Sequence, residues 1–331
     1  MHCQAPWWLP GGHVQTIWAA LYGQRLAAGP LEFERERWPT PDGDFIDVDW
    51  LAAVPGTTHL ADPAPPLLVL FHGLEGSSQS HYAQAFASLA RACGWRFALP
   101  HFRGCSGAIN LAPRAYHSGD HEEIDWVLEQ LAAAHRGPLV AVGVSLGGNA
   151  LMRWAGEQGQ QAARRVRALA CVCSPLDLMA GGMAMGRGLN RYLYTPMFLK
   201  TMVPKALAKL EQYPGLFDRQ RLLQARDLYE FDNVFTAPLH GFVDTRDYWL
   251  RASAKPLLPQ VRVPALVLHS INDPFIPAGS LPTREQVSAS VTLWQPAQGG
   301  HVGFPVAQPR WPATHVLAMP QAVLAFLAQA L

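Results

Sequence analysis

Short apolar runs recur along the chain, and most are followed by segments whose apolar residues keep helical spacing. Leu67-Leu-Val-Leu-Phe71 and Leu139-Val-Ala-Val-Gly-Val144 are almost unbroken, so each predicts a strand buried on both faces, as in a parallel sheet. Further strands are predicted at Arg96–Pro100, Val166–Cys173, Pro264–His269 and Val291–Trp294. Helices are predicted at His81–Ala92, Asp120–Ala134, Leu146–Gln158 and Pro320–Ala330. Ahead of them, Glu32–Trp38 and Phe45–Leu51 flank Pro39-Thr-Pro-Asp-Gly43, the pattern of an antiparallel hairpin at a sheet edge. The alternation predicts an α/β fold, a mostly parallel twisted sheet flanked by helices.

The alternation is interrupted three times. Residues 1–30 hold Trp7, Trp8, Ile17, Trp18, Leu21 and Tyr22 among prolines and glycines, an N-terminal arm that packs on the core or lines a substrate pocket. A Pro-rich link, Pro55–Pro66, precedes the third strand. Strand grammar lapses over residues 179–255, where five of the eight methionines fall (Met179, Met183, Met185, Met197 and Met202) and helices are predicted at Lys200–Glu211 and Leu222–Phe231. The expected organisation is an arm (1–30), a core (31–178 and 256–331) and an inserted helical cap (179–255). Soft methionine side chains suit a surface that repacks around apolar ligands, although a plainly packed insert has the same composition.

The fifth predicted strand ends in Gly143-Val-Ser-Leu-Gly147, just before a helix. A G-x-S-x-G strand-turn-helix is a nucleophile elbow: the serine sits on a sharp turn and projects its hydroxyl beyond the sheet. Ser145 is therefore the expected nucleophile, with the NH of Leu146, at the helix start, as one oxyanion donor. The loop after the third strand, His72-Gly-Leu-Glu-Gly76, predicts a second donor at Leu74. Asp273, after the seventh strand, and His301, after the eighth and set in Gly299-Gly-His-Val-Gly303, complete the chain order Ser, Asp, His. Asp177, after the sixth strand, is the rival acid. Around His117, Asp120, His121, Glu122, Glu123 and Asp125 a capping box, Asp120 with Glu123, explains the residues better than a metal site does. Arg103, Arg114, Tyr116 and His117, in the loop after the fourth strand, are read as bracing that loop by ion pairs, with substrate contact as the alternative.

Composition narrows the remaining classes. The 331 residues are 49% hydrophobic and 15% charged, enough for one large core. A net charge of +1 supplies no attraction for nucleic acid or an anionic membrane surface. The five cysteines form no C-x-x-C and are odd in number, which predicts a reducing, cytoplasmic setting without disulfides or zinc. No Lys or Arg occurs in the first 24 residues, and no apolar window reaches membrane-spanning length, so neither a signal segment nor an integral membrane segment is expected.

Taken together, Pro10-Gly-Gly-His-Val-Gln-Thr16, His72-Gly-Leu-Glu-Gly76, His101-Phe-Arg-Gly-Cys-Ser-Gly107, Tyr116-His-Ser-Gly119, Gly143-Val-Ser-Leu-Gly-Gly148, Asp273-Pro-Phe275 and Gly300-His-Val-Gly303 resemble the YheT-like branch of the α/β-hydrolases, α/β-hydrolase family 4. The resemblance implies an α/β-hydrolase fold and a cofactor-independent serine carboxylesterase acting on a small-molecule acyl ester, relatives taking medium-chain esters or phospholipids. The N-terminal membrane anchor of some relatives is not expected here. Acyl transfer to an alcohol, and a catalytically silent ligand-binding protein on the same fold, stay open as alternatives.

Overall fold

A computed structural model of the chain describes residues 4–23, 30–53, 64–307 and 314–331. The ends of the N-terminal arm and most of the Pro55–Pro66 link lie outside them. Eight strands form one sheet in the order β1-β2-β4-β3-β5-β6-β7-β8. They are β1 (Phe33–Pro39), β2 (Phe45–Leu51), β3 (Leu67–Phe71), β4 (Arg96–Pro100), β5 (Leu139–Val144), β6 (Ala168–Val172), β7 (Ala265–Leu268) and β8 (Val291–Trp294). The β1–β2 hairpin joins antiparallel at one edge, β2 pairs antiparallel with β4, and every later pair is parallel.

The unbroken apolar strands are buried on both faces because helices cover both. Along β3, Leu67, Val69 and Phe71 face one core and Leu68 and Leu70 the other, the period-2 division of a pleated strand. On the first face lie α3 (His121–Ala134) and α4 (Leu146–Gln158), which insert Ile124, Leu128, Leu151 and Trp154. On the second lie α2 (His81–Ala92) and α12 (Ala318–Ala328), with Phe86, Val323 and Leu327. The arm contributes a helix that the hydrophobic pattern did not predict, α1 (Gly11–Tyr22), with Gln15, Thr16 and Ala19 on its buried side.

Between β6 and β7 the chain is helical: α5 (Leu178–Met185), α6 (Gly188–Leu193), α7 (Thr195–Gln212), α8 (Arg219–Gln224), α9 (Leu228–Val234), α10 (Thr236–Leu239) and α11 (Thr245–Ala252). The single helix expected over Leu222–Phe231 is two helices. Asp227 breaks it by adopting extended backbone (φ −151°) and accepting the NH of Glu230 as the cap of α9. The capping box expected at the start of α3 is also absent: the Asp120 side chain makes no cap bond there. Its carboxylate accepts instead from Arg114, and Glu123 accepts from Arg103 Nε at 2.5 Å. Two arginines from the preceding loop outcompete the helix terminus, because a charged donor bonds a carboxylate more strongly than an amide does.

Candidate active site

The turn after β5 is built around close backbone approach. A Cβ on Gly143 would lie 2.5 Å from the Gly148 Cα, and one on Gly147 would lie 2.4 Å from the His72 carbonyl oxygen. Only glycine allows the strand, the following helix and the β3 loop to meet here. Ser145, between them, is held at φ 51°, ψ −119°, a sparsely populated region for an L-residue that costs about 1–3 kcal/mol. Its NH donates to the Val172 carbonyl at 2.9 Å, which fixes the turn against the neighbouring strand.

Three predicted residues from three separate strand ends come together. His301 Nε2 lies 3.0 Å from Ser145 Oγ, and its Nδ1 lies 2.8 Å from Asp273 Oδ2. The second oxygen of Asp273 accepts the NH groups of Phe275 (2.8 Å) and Ile276 (3.4 Å), so the carboxylate is oriented by its own loop. Phe275 covers the imidazole, with ring centroids 4.2 Å apart. Asp177 is not part of this group. It caps α5 by accepting the Ala180 NH at 3.0 Å, as Asp244 caps α11 through Asp247.

Leu74 and Leu146 line the same cavity as Ser145 and His301. Neither NH donates a hydrogen bond among the described residues, and Leu146 opens α4, where helix geometry leaves its NH unpaired. The Leu74 loop is tightly fixed. Gly73 donates to the Tyr82 hydroxyl at 2.8 Å, and the buried His72 donates from Nδ1 to the Gly73 carbonyl (2.7 Å) while its Nε2 accepts from the Phe102 NH (3.0 Å). Burial pushes the His72 pKa down to about 3, so the ring is the neutral species these two bonds require. Next in the loop, Glu75 (φ 57°) accepts the Tyr116 hydroxyl at 2.8 Å and pairs with Lys205 of α7 at 2.8 Å.

The cavity above Ser145 is about 160 Å³ and is roofed by the helical segment, with Met185, Phe198, Met202, Leu228, Phe231 and Trp249 among its lining residues. Met197, by contrast, is 53% exposed and outside the lining. None of the arm's aromatics lines it among the described residues. Among the described residues, one grouping of donor atoms has metal-like spacing, Cys173, Asp273 and His301 within 4.8 Å. Its chemistry is unsuited to a cation: Asp273 and His301 bond each other, and burial together with the Asp273 charge raises the Cys173 thiol well above its usual pKa, leaving it protonated.

Residues that sequence reasoning passed over hold the histidine loop from outside. Thr16 and Gln15 of α1 and Asn272 accept the NH groups of His301, Gly299 and Gly300. Three polar side chains in an otherwise apolar α1, His13, Gln15 and Thr16, all within the Pro10–Thr16 motif, were the available signal.

A family profile described as the alpha/beta hydrolase fold matches residues 66–308. The chain is 36% identical to the Escherichia coli (strain K12) protein named "Putative esterase YheT" over 295 residues, 88% of this chain and 84% of that one. It is 28% identical to the Homo sapiens protein named "Phospholipase ABHD3" over 279 residues, 83% of this chain and 67% of that one. In fold it is similar to Est1E from Butyrivibrio proteoclasticus, at a TM-score of 0.54 and 14% identity, covering 91% of this chain and 99% of that one. No described helix is long and apolar enough to cross a membrane. With a family match over most of its length and the YheT relative aligned nearly end to end, the chain belongs to the α/β-hydrolase family, in its YheT-like branch.

Proposed function

We propose that the chain is a serine carboxylesterase that hydrolyses short- to medium-chain acyl esters through an acyl-enzyme. The observation that carries this reading is the hydrogen-bonded series Ser145 Oγ, His301 Nε2, His301 Nδ1, Asp273 Oδ2, with links of 3.0 and 2.8 Å, at the wall of an apolar cavity. In this reading His301 accepts the hydroxyl proton as Ser145 attacks the ester carbonyl, and returns it to the departing alcohol. Water then attacks the acyl-Ser145 ester by the same route in reverse order. Asp273 keeps the Nδ1–H tautomer and stabilises the imidazolium. The NH groups of Leu74 and Leu146 receive the carbonyl oxygen as it gains charge, in a site whose donors need no reorganisation.

The apolar lining supports an acyl chain in place of a peptide or polar acid, and residues 179–255 serve as a cap domain over it. Relatives named esterase, phospholipase and monoacylglycerol lipase support an ester bond as the target. Free thiols at Cys93, Cys105, Cys171 and Cys173 suit a reducing compartment, so the reading places the enzyme in the cytoplasm. The test is hydrolysis of a p-nitrophenyl ester series together with fluorophosphonate labelling. Turnover and labelling that both vanish in Ser145→Ala support the reading; hydrolysis that persists in that variant overturns it.

A further inference from the structure

We infer that Thr16 and Gln15 of α1 are positioning residues for His301, an inference that rests on the esterase reading above. The His301 NH donates to Thr16 Oγ1 at 2.8 Å, and the Thr16 hydroxyl donates onward to the Gly12 carbonyl at 2.7 Å. Gln15 is completely buried, and its Oε1 accepts both the Gly299 NH and the Asn272 side-chain amide, each at 3.0 Å. Asn272 in turn accepts the Gly300 NH at 3.0 Å. Three consecutive NH groups leading into the imidazole are thus held by side chains, two of them from α1. Because Asn272 directly precedes Asp273, the same helix also fixes the loop that carries the acid.

Backbone geometry shows why such a clamp is needed. Gly300, Val302 and Phe304 have φ values of 61°, 60° and 41°, and for a β-branched residue such as Val302 this conformation persists only where the surroundings impose it. Contact with α1 is direct: a Cβ on Gly300 would lie 2.7 Å from Thr16 Oγ1, one on Gly303 would lie 2.6 Å from the Gln15 carbonyl oxygen, and one on Gly12 would lie 1.8 Å from the Asn272 carbonyl oxygen. The helix and the two loops have no room for an independent shift. His13 extends the contact to the helical segment by stacking on Tyr194, with ring centroids 5.8 Å apart and planes at 8°. The hydroxyl of Thr16 therefore sets where Nε2 stands relative to Ser145, without touching substrate.

The experiment compares Thr16→Val, which keeps the shape and removes the hydroxyl, with Thr16→Ser, which keeps the hydroxyl. Displacing a catalytic group by around an ångström costs roughly 100-fold, so Thr16→Val should lose about that factor in kcat with KM within about twofold, and Thr16→Ser should retain near wild-type kcat. The downfield proton resonance of His301 Nδ1–H, which requires no substrate, should move or broaden in Thr16→Val and persist in Thr16→Ser. Should Thr16→Val fail to fold, Gln15→Met, which removes the acceptor for Gly299 and Asn272, reads the same relation by the same two measurements. Wild-type kcat and an unmoved resonance in a folded variant overturn the inference, as does equal loss in Thr16→Val and Thr16→Ser. Ser145→Ala assayed in parallel keeps the two claims apart: full activity there removes the esterase reading itself, whereas a Ser145-dependent enzyme indifferent to Thr16→Val loses only the clamp.

Discussion

The hydroxyl oxygen of Ser145 and Nε2 of His301 stand 3.0 Å apart although 156 positions separate them in the chain. On the esterase reading the two groups act as one unit in proton transfer, so removing either should remove the same function. Ser145→Ala and His301→Ala should each lower kcat by about 10⁴ or more, and the double variant should be little worse than either. Steady-state kinetics on the three variants checks this, and independent, additive losses would refute it.

Asp273 and Asp177 both follow strands and both bond backbone NH groups, but only Asp273 reaches His301. Asp273→Asn should therefore cost up to about 10⁴ in kcat with the fold intact, because the amide cannot hold the required tautomer. Asp177→Asn should leave kcat nearly unchanged and cost at most about 1 kcal/mol of stability through a weakened helix cap. Paired kinetic and thermal-melt measurements separate the two roles.

Of the methionines that suggested an apolar acyl site, Met202 lines the cavity and Met197 lies outside it. Each buried CH₂ contributes up to about 0.8 kcal/mol, roughly fourfold in kcat/KM. The wild type should favour longer acyl groups until the cavity is full. Met202→Ser should flatten that dependence with acetyl ester turnover preserved, and Met197→Ser should leave it alone. Equal losses on every ester in Met202→Ser would take this segment out of the acyl site.

Two buried groups give stability an unusual pH dependence. His72 has its pKa lowered by burial from 6.5 to about 3, so between these values the unfolded chain binds the proton that the folded one refuses. Stability should fall progressively as pH drops from about 6.5 towards 3, and His72→Asn, which keeps a donor near the Nδ1 position and cannot protonate, should flatten that slope. Denaturant midpoints from pH 7 down to pH 4 give the comparison.

Asp232 acts in the opposite sense. Burial raises its pKa from 3.8 to about 6 despite hydrogen bonds from Thr236 and Trp249, so the folded chain retains a proton the unfolded one has lost. Its contribution should decline as pH rises from about 3.8 to 6. Asp232→Asn should therefore gain on the wild type in relative stability across that window, and an unchanged difference between pH 4 and 7 would contradict the assignment.

How much of this was legible in the sequence depended on how local the cause was. β3, β5 and α4 could be read to the residue, because an unbroken apolar run and a glycine-flanked serine carry their own geometry. The α/β architecture followed from those elements and their alternation, and the resemblance of the motifs narrowed it to the α/β-hydrolase fold. Helix α1 could not be read that way: its two opening glycines and the prolines ahead of it argue against a helix, and what stabilises it is contact with loops nearly 300 positions away, such as the bond from the Gly299 NH to Gln15 with a separation of 284. The same limit explains Asp120, whose local signature is a cap and whose partner is Arg114 in the preceding loop. Grouping Ser145, Asp273 and His301 was possible from chain order, whereas the bond between Thr16 and the His301 NH joins residues that no local pattern connects.

The bond from the His301 NH to Thr16 spans 285 positions, joining α1 to the loop after β8. β3, β5 and β6 pair across much shorter stretches of chain, whereas the loop with His301 must find a helix 285 positions before it. Contacts of such separation are formed late, after long loops have closed. A refolding chain in which this contact is still open would hold the Ser145 elbow without the His301 bond, so on the esterase reading hydrolysis should return later than the sheet.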